Sequence, residues 1–159
     1  MPVRVQHEDF DLSTELAALR DGHPDTGAVV AFVGTVREMS DSGAVSQMEL
    51  EHYPGMTEAA LEEIAAEARR RWPVIDILVV HRIGQLRACD QIVLAAVAAR
   101  HRGQAFAACE FVMDYLKSRA PFWKKERTGQ GTRWVAPRDA DEAAMARWDS
   151  PALAGTTRR

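Results

Sequence analysis

Apolar positions recur along the chain in two rhythms, one helical and one alternating. Over residues 12–20, Leu16 and Leu19 share a helical face behind a Ser13 N-cap, and Asp21-Gly22 closes the segment. The stretch 27–36 is apolar from Ala28 to Val33 without interruption, which predicts a strand covered on both faces. Asp41-Ser42-Gly43 reads as a turn. Beyond it Met48 and Leu50 alternate with Gln47, Glu49 and Glu51, the pattern of a half-exposed strand. The two strands are expected to form an antiparallel pair with a mobile connection at about 38–44.

Pro54-Gly55 breaks the second strand, and Thr57 is expected to cap a helix of about 58–72. Leu61, Ile64, Ala65, Ala68 and Trp72 form its apolar stripe, Glu67 and Arg71 pair on its wet side, and Pro73 stops it. Residues 74–83 are β-branched and apolar, a central strand ending in His81-Arg82-Ile83-Gly84, and 91–99 is another strand. A second long helix spans about 103–119, with Phe106, Cys109, Val112, Met113 and Leu116 on one stripe and Pro121 ending it. Residues 128–132 read as a flexible loop. Asp139 with Glu142 resembles a capping box for a last helix reaching about Trp148. No repeat or linker divides the chain, so one domain over 1–149 is expected, followed by a disordered tail at 150–159. Mixed strands and helices with a hairpin favour an α+β fold, a mixed or antiparallel sheet with packed helices.

Composition narrows the functional classes. The chain has 159 residues, 20 Lys+Arg against 23 Asp+Glu, and 47% apolar residues. That is one ordinary domain with a real core, and disorder is excluded. A net charge of -3 supplies no general attraction to nucleic acid or to an anionic membrane. No apolar run reaches the ~20 residues of a membrane span, and the N-terminus has no signal-peptide core, so a cytoplasmic protein is expected. Cys89 and Cys109 lie in no CxxC pattern and are read as reduced thiols.

Candidate chemistry concentrates in one place. No two of the five histidines stand at helical ligand spacing, so no metal site is expected, and neither a phosphate-binding loop nor a nucleophile elbow is present. Seventeen of the twenty cations are arginines, whereas the three lysines, Lys117, Lys124 and Lys125, fall within nine residues. Their segment also holds Arg119, Arg127, Phe122 and Trp123. A solvated basic patch at a helix C-terminus is one reading. The other is chemistry that arginine cannot perform, because its pKa stays above ~12 whereas a lysine among other cations can give up a proton. His101-Arg102, at the start of the second long helix, is either an anion site or surface decoration. Arg37, after the first strand, either faces a pocket or is solvated.

Several motifs are more specific. Glu51-His52-Tyr53-Pro54-Gly55-Met56-Thr57-Glu58, Arg71-Trp72-Pro73, His81-Arg82-Ile83-Gly84 and the run from Met113-Asp114-Tyr115-Leu116-Lys117 to Pro121-Phe122-Trp123-Lys124-Lys125-Glu126 resemble the family of large, catalytic subunits of molybdopterin synthase. The resemblance extends over about residues 3–148. It implies an α/β-hammerhead fold and a homodimer that binds, at each end, a small ubiquitin-like subunit with a C-terminal Gly-Gly thiocarboxylate. The implied reaction is sulfur transfer to cyclic pyranopterin monophosphate, forming the dithiolene of molybdopterin with no cofactor. The implied catalytic residues are Lys117 and Lys124. Thr35, Val36, Arg37, Lys125 and Glu126 are implied in substrate binding, as is the pair His101 and Arg102, supplied by the neighbouring protomer. The thiocarboxylate already carries nucleophilic sulfur, so such an enzyme supplies orientation, proton transfer and oxyanion stabilisation. Two other readings are a non-catalytic scaffold for a ubiquitin-like tail or a phosphorylated metabolite, and a zinc hydrolase.

Overall fold

Two strands of strictly alternating apolar side chains organise the molecule. The computed structural model describes residues 3–40, 43–128, 131–135 and 139–149, with side chains described except at 39–40, 43–46, 126–128, 131–135, 139–142 and 147. The elements are β1 (Val3–Gln6), α1 (Leu12–Arg20), β2 (Ala28–Thr35), β3 (Met39–Ser40), β4 (Gly43–His52), α2 (Met56–Arg71), β5 (Val74–Arg82), β6 (Gly84–Leu86), β7 (Gln91–Ala99), α3 (Arg102–Arg119), β8 (Phe122–Thr128), β9 (Gly131–Val135) and α4 (Asp139–Ala146), with a 3-10 turn over Arg147–Asp149. The predicted tail at 150–159 lies outside the described residues.

β5 and β7 pair antiparallel at the centre of a four-stranded sheet of order β1-β5-β7-β2, in which only β1 runs parallel to its neighbour. Side chains alternate across a strand, so each of these two builds two cores. Ile77, Val79, Val93, Ala95 and Val97 face α2 and α3, where they meet Leu61, Ile64, Phe111, Val112 and Leu116. Leu78, Val80, Leu94, Ala96 and Ala98 face the other way, onto Phe10 and Leu19 of the α1 layer. The second sheet has five strands. β3, β4, β8 and β9 follow in order, and β6 pairs with β4 over Met48–Leu50. Val36, Met48, Leu50 and Leu86 form its small core. The α+β expectation therefore holds, with two sheets where one was anticipated.

Several expectations change. β2 pairs with β7 rather than with β4, whose partners are β3, β6 and β8. Long-range pairing was preferred to the local hairpin because β7 offers β2 an uninterrupted apolar partner. β2 is consequently an edge strand, covered incompletely, and Phe32 is 41% exposed. The α1 cap is Asp11, whose carboxylate accepts the Thr14 N–H at 2.8 Å, not Ser13. α2 starts two residues earlier than predicted, after Gly55, which adopts φ +85, a backbone region that glycine enters most readily. Of the predicted α3 stripe Cys109, Val112, Met113 and Leu116 are buried, whereas Phe106 is exposed and its neighbour Ala105 is buried instead. Thr128 and Gly131, at the edges of the expected loop at 128–132, pair in the β8–β9 ladder, and 129–130 lie outside the described residues. The α2 stripe, its Glu67–Arg71 pair at 2.9 Å and the bounds of β7 match the sequence reading.

Phe111 is the pivot of the larger core. It is fully buried and its ring meets Trp72 at 5.4 Å, Tyr115 at 4.4 Å and Trp148 at 5.7 Å, with the Arg71 guanidinium 4.7 Å above it. Trp148 is itself tied down by its indole N–H, which donates to Asp114 at 2.6 Å. Truncating such a ring removes its transfer energy and leaves a cavity between three elements. Phe111→Ala is therefore expected to lower unfolding stability by about 3–5 kcal/mol, read by urea denaturation. A loss below about 1 kcal/mol would contradict this packing.

Candidate active site

The basic segment flagged in the sequence spans three structural contexts. Lys117 sits exposed on the last turn of α3. The helix closes with the Ala120 N–H on the Leu116 carbonyl, Pro121 makes the bend, and Phe122 opens β8. In the β4–β8 ladder Lys124 stands opposite Leu50 and Phe122 opposite His52. Residues directly opposite in a ladder share a face, so half-buried Lys124 lies on the side of buried Leu50 and Met48. Lys125 lies on the reverse side, opposite Glu49 and beside exposed Trp123.

The charges of Lys117 and Lys124 both act on His81. This histidine belongs to the central strand β5 and is 5% exposed. Its ring stacks on Phe122 with centroids 3.7 Å apart and planes 17° from parallel. Its Nδ1 lies 2.8 Å from the Arg82 carbonyl. A carbonyl only accepts, so Nδ1 carries the proton. Burial pushes the His81 pKa down to about 4; the Arg82 hydrogen bond opposes that shift, and the nearby charges of Lys117, Lys124 and His52 reinforce it. His52 in turn lies 3.2 Å from Glu58. Partial desolvation raises the Glu58 carboxyl, but hydrogen bonds from its own and Gly55's backbone N–H, with His52 nearby, outweigh this and bring it below its usual range.

The other predicted site residues divide by location. Thr35 and Arg37 are exposed at the end of β2. Between them Val36 is buried in the same small core as Leu50, and its backbone is pinned by the Asp90 carbonyl and the Cys89 N–H, each at 2.9 Å. This segment is thus anchored to the core from which Lys124 projects. Glu126 occupies a β8 position opposite Met48, and its side chain lies outside the described residues. His101 and Arg102 are exposed at the opposite end of α3 from Lys117. A separation of 15–16 residues corresponds to about 24 Å of helix, so one chain cannot bring this pair to the lysines. Cys89 and Cys109 are free; Cys109 is buried, which pushes its thiol up to about 11. Among the described residues, no cluster of three His, Cys, Asp or Glu side chains could hold a metal ion, and no helix is long and apolar enough to cross a membrane.

Sequence reasoning assigned no site role to His81 or His52 and read Thr57 only as the α2 cap, a place that Gly55 takes. The available signal was a lone imidazole inside the apolar run 74–83 and a threonine placed just after a strand break.

A two-sheet α+β chain with a lysine pair at a helix-to-strand junction defines a class that known proteins share. The family model described as "MoaE protein" matches residues 5–119. A molybdopterin synthase catalytic subunit of Ralstonia nicotianae is 65% identical over 92% of this chain and 83% of its own length. The solved structure of a molybdopterin biosynthesis MoaE protein from Burkholderia ambifaria superposes with a TM-score of 0.81 at 61% identity, covering 93% of this chain and 97% of that one. A chain in the complex of subunits 1 and 2 of molybdopterin-converting factor from Helicobacter pylori shares the fold, with a TM-score of 0.72 at 18% identity over 87% and 92% of the two chains. The chain belongs to the MoaE family.

The buried imidazole has a consequence for stability against pH. The folded-state pKa of His81 lies below the ordinary value of 6.5. The unfolded chain therefore takes up a proton that the folded chain refuses, and stability is lost as pH falls from about 6.5 towards 4. His81→Phe keeps a ring on Phe122 and removes the titration. Its stability is expected to fall less steeply than wild type over that interval, by a difference on the order of 3 kcal/mol at most, measured by denaturation at several pH values. Parallel curves would show that His81 is not held neutral.

Proposed function

We propose that this chain is the catalytic subunit of a molybdopterin synthase. It transfers sulfur from the C-terminal thiocarboxylate of a small ubiquitin-like subunit to cyclic pyranopterin monophosphate, and two transfers build the dithiolene of molybdopterin. The single observation that carries the reading is the pair Lys117 and Lys124, on a helix end and a strand joined by the bend at Ala120 and Pro121, in a chain 65% identical to a known catalytic subunit. The H. pylori relative forms a complex of two different subunits, which supports a small partner here. The chain acts in the cytoplasm, as a single domain over 1–149.

The residues meet the demands of the reaction. The thiocarboxylate sulfur attacks the pterin side chain, so no enzyme cysteine is needed, and the high pKa of Cys109 suits an onlooker. Lys117, exposed and close to a second cation, serves as general acid and base for the proton that must move as the carbon–sulfur bond forms. Lys124, held on the inner face of β8, orients the thiocarboxylate or the substrate. Arg37 binds the cyclic phosphate by charge-assisted hydrogen bonds, beside Thr35 and Val36. His101 and Arg102 join from a second copy, because their distance along α3 prevents them from serving their own lysines. Lys125 and Glu126 border the site on β8, with Lys125 on the solvent side.

Lys117→Ala is expected to abolish molybdopterin formation, a loss of at least about 100-fold, while leaving the fold and binding of the small subunit intact. Near-normal turnover with thiocarboxylated partner would refute the assignment. Lys117→Arg is expected to fail as well, because it keeps the charge and loses the proton; retained activity would mean that the residue acts only as a charge. Mixed dimers test the shared site. A protomer carrying His101→Ala combined with one carrying Lys117→Ala should regain activity at one of its two sites, and mixtures that stay inactive at every ratio would argue against sharing.

A further inference from the structure

Among the described residues the buried polar side chains are Thr57 and His81, and both grip the same short piece of chain. The Thr57 hydroxyl accepts the Tyr53 N–H at 2.9 Å and donates to the Pro121 carbonyl at 2.9 Å. The His81 ring stacks on Phe122 at 3.7 Å while its own N–H is satisfied by the Arg82 carbonyl. Pro121 and Phe122 join the helix that carries Lys117 to the strand that carries Lys124. We propose that Thr57 and His81 are positioning residues for sulfur transfer, which clamp Pro121 and Phe122 and so set the placement of Lys117 relative to Lys124.

Packing alone does not select these two residues. A fully buried hydroxyl costs desolvation unless both its hydrogen-bonding roles are used, and valine would fill the same volume without that cost. A histidine between buried Val80 and Ile83 costs more than phenylalanine or leucine would in the same strand. Thr57 spends its polarity at the junction, and His81 lays its ring on Phe122 there while its N–H goes to the Arg82 carbonyl. Pro121 has no N–H, so its carbonyl is the only backbone group by which that residue can be hydrogen-bonded, and Thr57 takes it. The bend is also tied by the Phe122 N–H on the Ala120 carbonyl at 2.9 Å and by the pairing of Phe122 with His52 in the β4–β8 ladder. Without the clamp, a helix end and a strand start would meet at a two-residue hinge. Displacement of about 1 Å at a reacting group can cost on the order of 100-fold in rate.

This inference rests on the proposed function for its kinetic readout but has a second readout that does not. The chain contains only three lysines, so protein labelled with 13C-lysine reports Lys117, Lys124 and Lys125 as three separate side-chain signals. The experiment compares wild type, Thr57→Val, Thr57→Ser and His81→Leu, which removes the ring from Phe122, each as the full chain, by these signals and by turnover with the thiocarboxylated small subunit and cyclic pyranopterin monophosphate. Thr57→Val and His81→Leu are expected to shift the Lys117 and Lys124 signals and leave Lys125 in place. Their kcat should fall about 10-fold or more with KM changed less than about twofold, and Thr57→Ser, which keeps the hydroxyl, should restore both readouts. Lysine signals superimposable on wild type with unchanged kcat would overturn the clamp. So would equal shifts of all three lysines with KM and kcat altered together, which is the mark of general loosening. Wild-type protein that shows the expected lysine response to the substitutions but no turnover would sink the functional reading and leave the clamp standing.

Discussion

The bend between α3 and β8 is the constraint on which the rest of the structure depends. α3 belongs to the first sheet, packed on β7 through Cys109, Val112 and Leu116, and β8 belongs to the second sheet. Ala120 and Pro121 are all that separates them. Whatever holds those two residues sets how α3 meets β8, while β5 reaches the second sheet separately, through Ile83 into β6. The holding groups come from α2 and β5, so every layer of the larger core contributes to a junction that lies at the surface. A site built this way is rigid because the elements around it are, and no single loop controls it.

The electrostatics of the junction follow from the same geometry. Burial keeps the His81 imidazole neutral, and the charges of Lys117 and Lys124 add to that effect. The His52–Glu58 pair at 3.2 Å places a carboxylate on the far side of this group. The local balance is thus cationic towards solvent and compensated towards the protein. It sits within a chain of net charge -3, which suits a small anionic substrate and the acidic terminus of a partner rather than a polyanion.

Much of this was legible beforehand wherever physics is local. The α2 stripe from Leu61 to Trp72, the stop at Pro73 and the bounds of β7 follow from periodicity and from proline's missing N–H. The lysine cluster stood out because arginine had replaced lysine everywhere else. What failed was non-local. Nothing in the residues 27–36 says that their partner is β7 rather than the next strand in sequence, because pairing energy depends on the whole sheet. Phe106 was assigned to the core with Cys109, Val112, Met113 and Leu116, and only the packing of α3 shows that it alone of the five is exposed.

By itself, the sequence determined the helices α1, α2, α3 and α4 and the strands β2, β4, β5 and β7, that the lysines are confined to one segment, and which family the motifs resemble; β1, β3, β6, β8 and β9 were not read from it. Only the tertiary structure decided that Lys124 and Lys125, adjacent in the chain, point to opposite faces. It also decided that the charges of Lys117 and Lys124 both act on His81, and that His101 and Arg102 lie a full helix length away. The reason is that side-chain direction in a strand reverses at every residue, and distance along a helix grows by 1.5 Å per residue. Neighbours in sequence are therefore parted and distant residues joined by packing, which no local pattern records.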